Sequence, residues 1–278
     1  MKLQAFVPFV TYPDAISDFI AAQAVSFAGA IGASLHALAV NADIPDVSNA
    51  LSTILLDTPE MIRQARAASR KRGSHLLGAV KARAEAAGVG LTTSEVAAQL
   101  PLLADVAARR ARYFDICLVG WEAGNATSRQ TAEAVIFGSG RPTVLLPENA
   151  PVAALDHVAI AWDGSRVAAR AVADARFLLE RAKRVSVLTV LDEKPLEEQD
   201  AGDRLVHALD RQGVNADSVP INAEDCPIAE TLQRKAIERG CTLLVMGGYG
   251  HSRIRDFVLG GATQGVLDAL LLPVLLSH

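Results

Sequence analysis

The sequence predicts an α/β protein made of two tandem open sheets, each mainly parallel, five-stranded and flanked by helices. Short apolar runs alternate with longer amphipathic segments along the whole chain of 278 residues, and this alternation is typical of parallel βαβ units. The order of segments in the second half repeats the order in the first half, which indicates a duplicated unit. Half of the residues are hydrophobic, enough to bury a core in each unit.

The second half shows the alternation most clearly. A strand at 157–162 ends at Asp163-Gly164-Ser165, and apolar residues at helical spacing then run from Val167 to Leu179. The remaining segments follow in order: strand 184–191, helix Ala201–Gln212 before Gly213, strand 217–221, helix Ile228–Arg239 before Gly240, strand 242–248, helix Thr263–Leu271 and strand 273–277.

The first half repeats this order with less regular detail. Its predicted segments are strand and turn 5–14, an Ala/Phe/Ile-rich helix, strand 34–40, helix Met61–Ala87 before Gly88, strand 91–97, helix Leu102–Arg112, and strands 115–120 and 141–147. The segment from Asp43 to Asp57 lacks periodicity and is interpreted as a loop or short helix. We therefore expect domains at 1–148 and 155–278, joined by the proline-containing segment 147–156.

Charge and hydropathy exclude two classes of partner. Residues 1–150 carry 13 Lys and Arg against 13 Asp and Glu, and residues 151–278 carry 14 against 18, so neither half has the basic excess of a nucleic-acid-binding protein. No apolar run reaches the roughly 18 residues of a membrane span, and the N-terminus lacks the features of a signal peptide. The three cysteines form no Cys-x-x-Cys pair and suggest reduced thiols. We expect a cytoplasmic protein.

The stretch GGYGHSRIRDFVLGGATQG at 247–265 contains six glycines around a predicted strand end and helix start. Glycines at such places let backbone N–H groups approach an anion, and a helix N-terminus attracts phosphate. The alternative is a plain strand-to-loop turn followed by an ordinary helix start. The spacing matches neither a P-loop, since no Lys follows, nor a Rossmann Gly-x-Gly-x-x-Gly.

The spacing of Gly247, Gly250 and Gly260 resembles the ATP-binding signature of the universal stress protein family, Gly-x2-Gly-x9-Gly-Ser/Thr. The resemblance extends over the second half through VAIAWDGS, SVLTVLDE, LLVMGGYGHS and PVLL, and more weakly over the first half. The chain is thus similar to a tandem universal stress protein with an adenine nucleotide alpha hydrolase-like fold.

The resemblance implies a ligand and a set of contacts. The ligand would be ATP, with ADP or AMP as alternatives, and Mg²⁺ would accompany the phosphates. One departure from the family pattern is Gly261, which stands where the family has Ser or Thr, so we expect weaker or differently arranged binding. The implied positions are Asp163 and the backbone of Val190 at the base and ribose, Met246 and Gly247 along the nucleotide, and Gly250, Gly260, Gly261 and Thr263 around the phosphates.

Each of these residues has a simpler interpretation. The turn 163–165 could serve simply to cap the following helix. Met246 could be an ordinary core residue, and Thr263 could be a helix N-cap. His251 and Arg253 could reach phosphates, although a solvated loop is the alternative for both.

The first copy has lost the glycine pattern. After Gly120 the sequence places Gly124 one position too late and has no glycine pair before the next helix. Asp14 echoes Asp163 but lacks the accompanying Gly-Ser. We therefore expect one nucleotide site per chain, in the second domain, with the first domain as a structural partner in a pseudo-dimer. No particular residue argues for a further homo-oligomer.

The function predicted from these residues is that of a stress-response protein acting as a nucleotide-dependent sensor or regulator. Two alternatives stay open: an interaction protein that has lost nucleotide binding, and a slow ATPase in which Asp163 holds Mg²⁺ through water. An adenylating or flavin-dependent enzyme would need a second pocket that no motif indicates. The sequence lacks His-x-x-x-His, Gly-x-Ser-x-Gly and paired Cys/His ligands.

Overall fold

The computed structural model describes residues 2–46, 57–152, 154–192, 198–223, 226–248 and 261–278. The chain forms two compact units, Met1–Ser139 and Gly140–His278. Each unit is an α/β structure with a mostly parallel open sheet and flanking helices, as the sequence predicts. Among the described residues, no helix combines the length and the hydropathy needed to cross a bilayer.

The first unit has its parallel strands in the order β3-β2-β1-β4. The strand β1 is buried along nearly its whole length, which explains why its sequence is a continuous apolar run. The elements are β1 Gln4–Val10, α1 Phe19–Ala30, β2 Ser34–Asp43, α2 Thr58–Ala87, β3 Leu91–Gln99, a 3₁₀ turn Leu100–Leu102, α3 Leu103–Ala111, β4 Ile116–Trp121 and α4 Ala126–Gly138.

The second unit has its strands in the order β5-β10-β9-β6-β7-β8. Five of them are parallel, and β5 pairs antiparallel with β10. The elements are β5 Thr143–Pro147, β6 His157–Ala161, α5 Arg166–Asp174, α6 Arg176–Leu179, β7 Arg184–Val190, α7 Ala201–Asp210, β8 Ala216–Ile221, α8 Ile228–Glu238, β9 Leu243–Gly247, α9 Gly261–Asp268 and β10 Val274–Ser277.

Most predicted elements are present with shifted ends. The predicted helix from Val167 to Leu179 is divided at Ala175, which is the C-cap of α5 and precedes the single turn α6. The segment between Asp43 and Asp57 lies largely outside the described residues, although Asp57 itself has a left-handed conformation before α2.

The strand β5 lies in the second compact unit, whereas the sequence repeat makes it the last strand of the first copy. In the register of β5 and β10, Leu145 faces Val274 and Thr143 faces Leu276. Each of these strands thereby covers an edge of the other. The predicted domain boundaries at 148 and 155 follow the sequence repeat and not the compact units, and they stay a prediction.

A buried polar cluster lies near the carboxyl ends of β1 and β2 in the first unit. The Ser69 hydroxyl of α2 accepts a hydrogen bond from the Ala42 N–H at 2.8 Å and lies 2.6 Å from the Thr11 hydroxyl. The Thr11 hydroxyl also lies 3.2 Å from Asn41 Oδ1. Because Thr11, Asn41 and Ser69 are almost fully buried, each needs these partners to offset the loss of water.

We predict that Ser69→Ala lowers the free energy of unfolding of the first unit by about 1–3 kcal/mol, because it leaves the buried Ala42 N–H without an acceptor. Urea unfolding followed through Trp121, the tryptophan of this unit, measures the effect.

The matched control is Ser74→Ala on the exposed face of the same helix, where a gain of about 0.5 kcal/mol is expected from helix propensity. Equal effects of the two substitutions would contradict a structural role for the Ser69 hydroxyl.

Candidate functional site

The carboxyl edge of the second unit's sheet contains a topological switch point. From β6 the chain proceeds outward through β7 to β8, whereas β9 and β10 lie on the other side of β6. Open α/β sheets bind ligands in the crevice at such a point. Ile160 pairs with Val245 and Ala161 pairs with Leu188, so β6 lies directly between β9 and β7. The predicted residues Asp163, Val190 and Gly247 therefore lie at the ends of three neighbouring strands.

Asp163 belongs to a tight turn between β6 and α5. A carboxylate oxygen of Asp163 accepts a hydrogen bond from the Ser165 N–H at 3.0 Å, and Gly164 has φ 74°. The Ser165 hydroxyl in turn accepts from the Ala168 N–H at 3.2 Å and caps the helix. The turn and the helix cap are therefore both present, and the ligand contact of Asp163 stays a prediction. The turn fixes the half-buried Asp163 carboxylate at the edge of the sheet.

Gly247 has a packing role that the sequence did not reveal. A Cβ atom at Gly247 would lie 2.6 Å from the Val167 carbonyl carbon and 2.7 Å from the Ala168 nitrogen. Both are backbone atoms of α5 and cannot rotate away. The end of β9 and the first turn of α5 can therefore meet only because residue 247 lacks a side chain.

The other predicted site residues divide into three groups: a pair in the core, one residue in a helix, and those outside the described residues. The side chains of Val190 and Met246 are 8% and 4% exposed, so these residues belong to the core and offer mainly their backbone groups at the edge. Thr263 is 3% exposed in the first turn of α9, which begins at Gly261. The remaining predicted phosphate contacts, Gly250 and Gly260, lie outside the described residues, as do the two loop side chains His251 and Arg253.

The start of α7 packs against the same edge, a contact that sequence reasoning missed. The Trp162 indole N–H donates to the Ala201 carbonyl at 2.9 Å. A Cβ at Gly202 would lie 2.9 Å from the Thr189 hydroxyl and 3.0 Å from the Ser218 hydroxyl. The signal available in the sequence was a tryptophan directly after a strand, but its partner 39 residues away could not be identified from the pattern.

The first unit has the same strand register but a different edge. In the first unit Phe6 of β1 pairs with Cys117 of β4, and in the second unit Ala159 of β6 pairs with Leu244 of β9. These two pairs occupy equivalent places in the repeat. Four residues beyond the first member of each pair stand Val10 and Asp163. Val10 therefore occupies the position in the first unit that Asp163 occupies in the second. The position lies inside β1, which continues to Val10, but beyond the end of β6, which stops at Ala161. The expected counterpart Asp14 comes four residues after Val10.

Side chains pack closely at the end of β4, the strand of the first unit that corresponds to β9 of the second unit. A Cβ at Gly120 would lie 2.3 Å from Ile16 Cδ1. After β4, the Glu122 carboxylate accepts hydrogen bonds from the Ser17 N–H and the Asn125 side-chain amide, both at 2.7 Å. A fixed carboxylate at this point would repel phosphate. The absence of a phosphate loop from the first unit stays a prediction, with which these contacts agree.

Residues 154–278 match the model of the universal stress protein family. This part of the chain is a universal stress protein domain. Among solved structures, a universal stress protein from Archaeoglobus fulgidus aligns with 99% of this chain and 96% of its own, at 16% identity and a TM-score of 0.74. A functionally unknown protein from Pseudomonas aeruginosa aligns with 98% of this chain and 92% of its own, at 15% identity and a TM-score of 0.53.

These structural matches extend the fold over the whole chain, including the first unit. At this level of identity they concern the fold alone. A comparison with curated protein sequences finds no match. The resemblance to a tandem universal stress protein is thus confirmed at two levels. The C-terminal domain matches the family, and the whole chain has the fold.

We predict that Gly247→Ala lowers the free energy of unfolding of the second unit by about 1–3 kcal/mol, because the added methyl group would overlap the α5 backbone. Urea unfolding followed through Trp162 measures this change.

Gly78→Ala is the matched control, because Gly78 lies in the exposed middle of α2. Apart from its own stretch of helix, no atom of the described residues lies within 4 Å of the position that an added methyl group would take. There the same substitution is expected to stabilise by about 0.5–1 kcal/mol. A neutral Gly247→Ala would contradict the close approach of β9 and α5.

Proposed function

We propose that the universal stress protein domain binds an adenine nucleotide, ATP in the first instance and ADP or AMP as alternatives, and acts as a cytoplasmic nucleotide-dependent sensor or regulator in the stress response. The observation that supports this most is the alignment of three strand ends at the switch point between β6 and β9. There, Asp163 and the Gly247-Gly248 pair follow adjacent strands, and the family's glycine spacing begins at Gly247.

The residues at this edge fit a nucleotide. The Asp163 carboxylate would accept hydrogen bonds from the ribose or base, and the backbone of Val190 lies at the end of the next strand. The N-terminus of α9 at Gly261 would receive phosphate, and Mg²⁺ would be held by the phosphates and by Asp163 through water. Ser277, which pairs with Gly247, has a buried hydroxyl with no hydrogen-bond partner among the described residues.

The two units would have different roles. The second would bind the nucleotide, whereas the first, with Glu122 and Ile16 at the corresponding place, would serve as its structural partner. The pairing of β5 with β10 supports a pseudo-dimer in which the last strands of the two copies cover each other. Bound nucleotide would stabilise the domain by mass action and so couple nucleotide level to conformation.

We predict that the purified chain binds one ATP per molecule by isothermal titration calorimetry, and that ATP at 100 times its Kd stabilises the protein by about 2.7 kcal/mol, measured as a rise in Tm. Mass spectrometry of nucleotide that co-purifies with the protein gives an independent readout.

No heat and no thermal shift at millimolar nucleotide would instead support an interaction protein without a nucleotide. Two ATP per chain would contradict the assignment of the first unit, and phosphate release at several turnovers per minute would indicate a true ATPase.

We also predict that Gly261→Ser strengthens ATP binding by about 2–10-fold, because the substitution supplies one more hydrogen-bond donor at the start of α9. Calorimetric titration of the variant measures the Kd.

The control Gly78→Ser makes the same exchange on the exposed face of α2 and is expected to leave the Kd unchanged. Weaker ATP binding by Gly261→Ser would contradict a phosphate site at the N-terminus of α9.

A further inference from the structure

An arginine-rich cleft lies in the first unit, where the last turn of α3 meets the outermost strand β3. It has a volume of about 340 Å³, at the lower end of the range for small-ligand pockets. We call it the arginine cleft and define it by its lining residues: Val96, Val106, Arg109, Arg110, Arg112 and Tyr113.

The charge of Arg109 and Arg110 in the arginine cleft is not neutralised within the described part of the chain. Both side chains are exposed, and neither makes a hydrogen bond or an ion pair with another described residue. Arg112 donates from Nε and Nη2 to the Gly138 carbonyl at 3.1 and 2.9 Å, and its guanidinium is therefore held in place. Among the residues that the structure describes, none of those lining the cleft is acidic.

The arginines have a simpler explanation that covers only part of the arrangement. Cations in the last turn of a helix interact favourably with the helix dipole, which accounts for Arg109 and Arg110 in α3. It does not account for a concave surface that combines the half-buried side chains of Val96 and Val106 with Tyr113, which is 81% exposed. An apolar floor beside two guanidinium groups that pair with no described carboxylate is the composition of a ligand site.

We propose that the arginine cleft binds a small organic phosphate, with the phosphate on Arg109 and Arg110 and an apolar or aromatic body on Val96, Val106 and Tyr113. Guanidinium groups match the geometry of a phosphate through paired N–H donors and keep their charge at any physiological pH. The exposed tyrosine ring offers a face on which an aromatic body can stack. This site is separate from the proposed nucleotide site, because it belongs to the first unit.

His36 provides a reporter that does not depend on measuring binding directly. Its ring stacks on Phe114 at 5.1 Å between centroids, and its two nitrogens lie 2.7 and 2.8 Å from the hydroxyls of Thr92 and Ser94. Burial, and secondly the positive charge of Arg110, lowers the pKa of His36 below its ordinary value. A phosphate bound to Arg110 would offset that charge and raise the pKa of His36.

The experiment uses the full chain with phenyl phosphate as the probe, titrated by NMR while the pH dependence of the His36 ring signals is followed. We expect saturable binding and a higher pKa of His36 at saturation. Arg109→Gln combined with Arg110→Gln should weaken binding about tenfold or more and abolish the response of His36. Tyr113→Ala should weaken phenyl phosphate but leave inorganic phosphate unchanged.

The matched control combines Arg70→Gln with Arg83→Gln, two exposed arginines of α2 outside the arginine cleft. It changes the net charge by the same amount and is expected to bind phenyl phosphate as the unaltered chain does. If both double variants lost phenyl phosphate binding equally, the overall charge of the protein would explain the loss, and the proposal would be overturned. An absence of saturation at millimolar phenyl phosphate, with folding of each variant verified by circular dichroism, would overturn it as well.

Discussion

The pairing of β6 between β9 and β7 is the constraint on which the edge of the second unit depends. Parallel strands in register bring their carboxyl ends to the same edge, so a residue just beyond each strand becomes a neighbour of residues far away in sequence. Asp163, Val190 and Gly247 come together in this way. The missing side chain at Gly247 then allows α5 to close over β9, and the capped turn at 163–165 fixes the start of that helix.

The same register supports a different surface in the first unit. Gly73 of α2 lies against Ala39 of β2, much as Gly202 of α7 lies against Thr189 of β7. From these equivalent glycines, α2 extends 15 residues toward its N-terminus and α7 extends only one. The difference corresponds to about 21 Å of additional helix. Duplication has thus preserved the sheet while the connections at its carboxyl edge have diverged.

Much of this fold could be predicted from the sequence, because buried parallel strands are continuous apolar runs and Asp-Gly-Ser is a recognisable turn and cap. The departure at Gly261 could also be recognised from the spacing alone. The sequence could not indicate that Gly247 faces helix backbone, that Glu122 binds Ser17, or that Val10 replaces Asp14 as the equivalent of Asp163. Each of these depends on contacts between distant segments, and strand register decides them. The arginine cleft was missed for the same reason, since β3 and α3 form it jointly.

The antiparallel contact of β5 with β10 has a consequence for any shortened form of the protein. The family match begins at residue 154, whereas the strand that protects β10 ends at Pro147. A fragment restricted to the matched residues would expose the main-chain amides and carbonyls on that side of β10 to solvent, and exposed strand edges recruit other chains. Two such fragments would then tend to join β10 to β10 across a twofold axis.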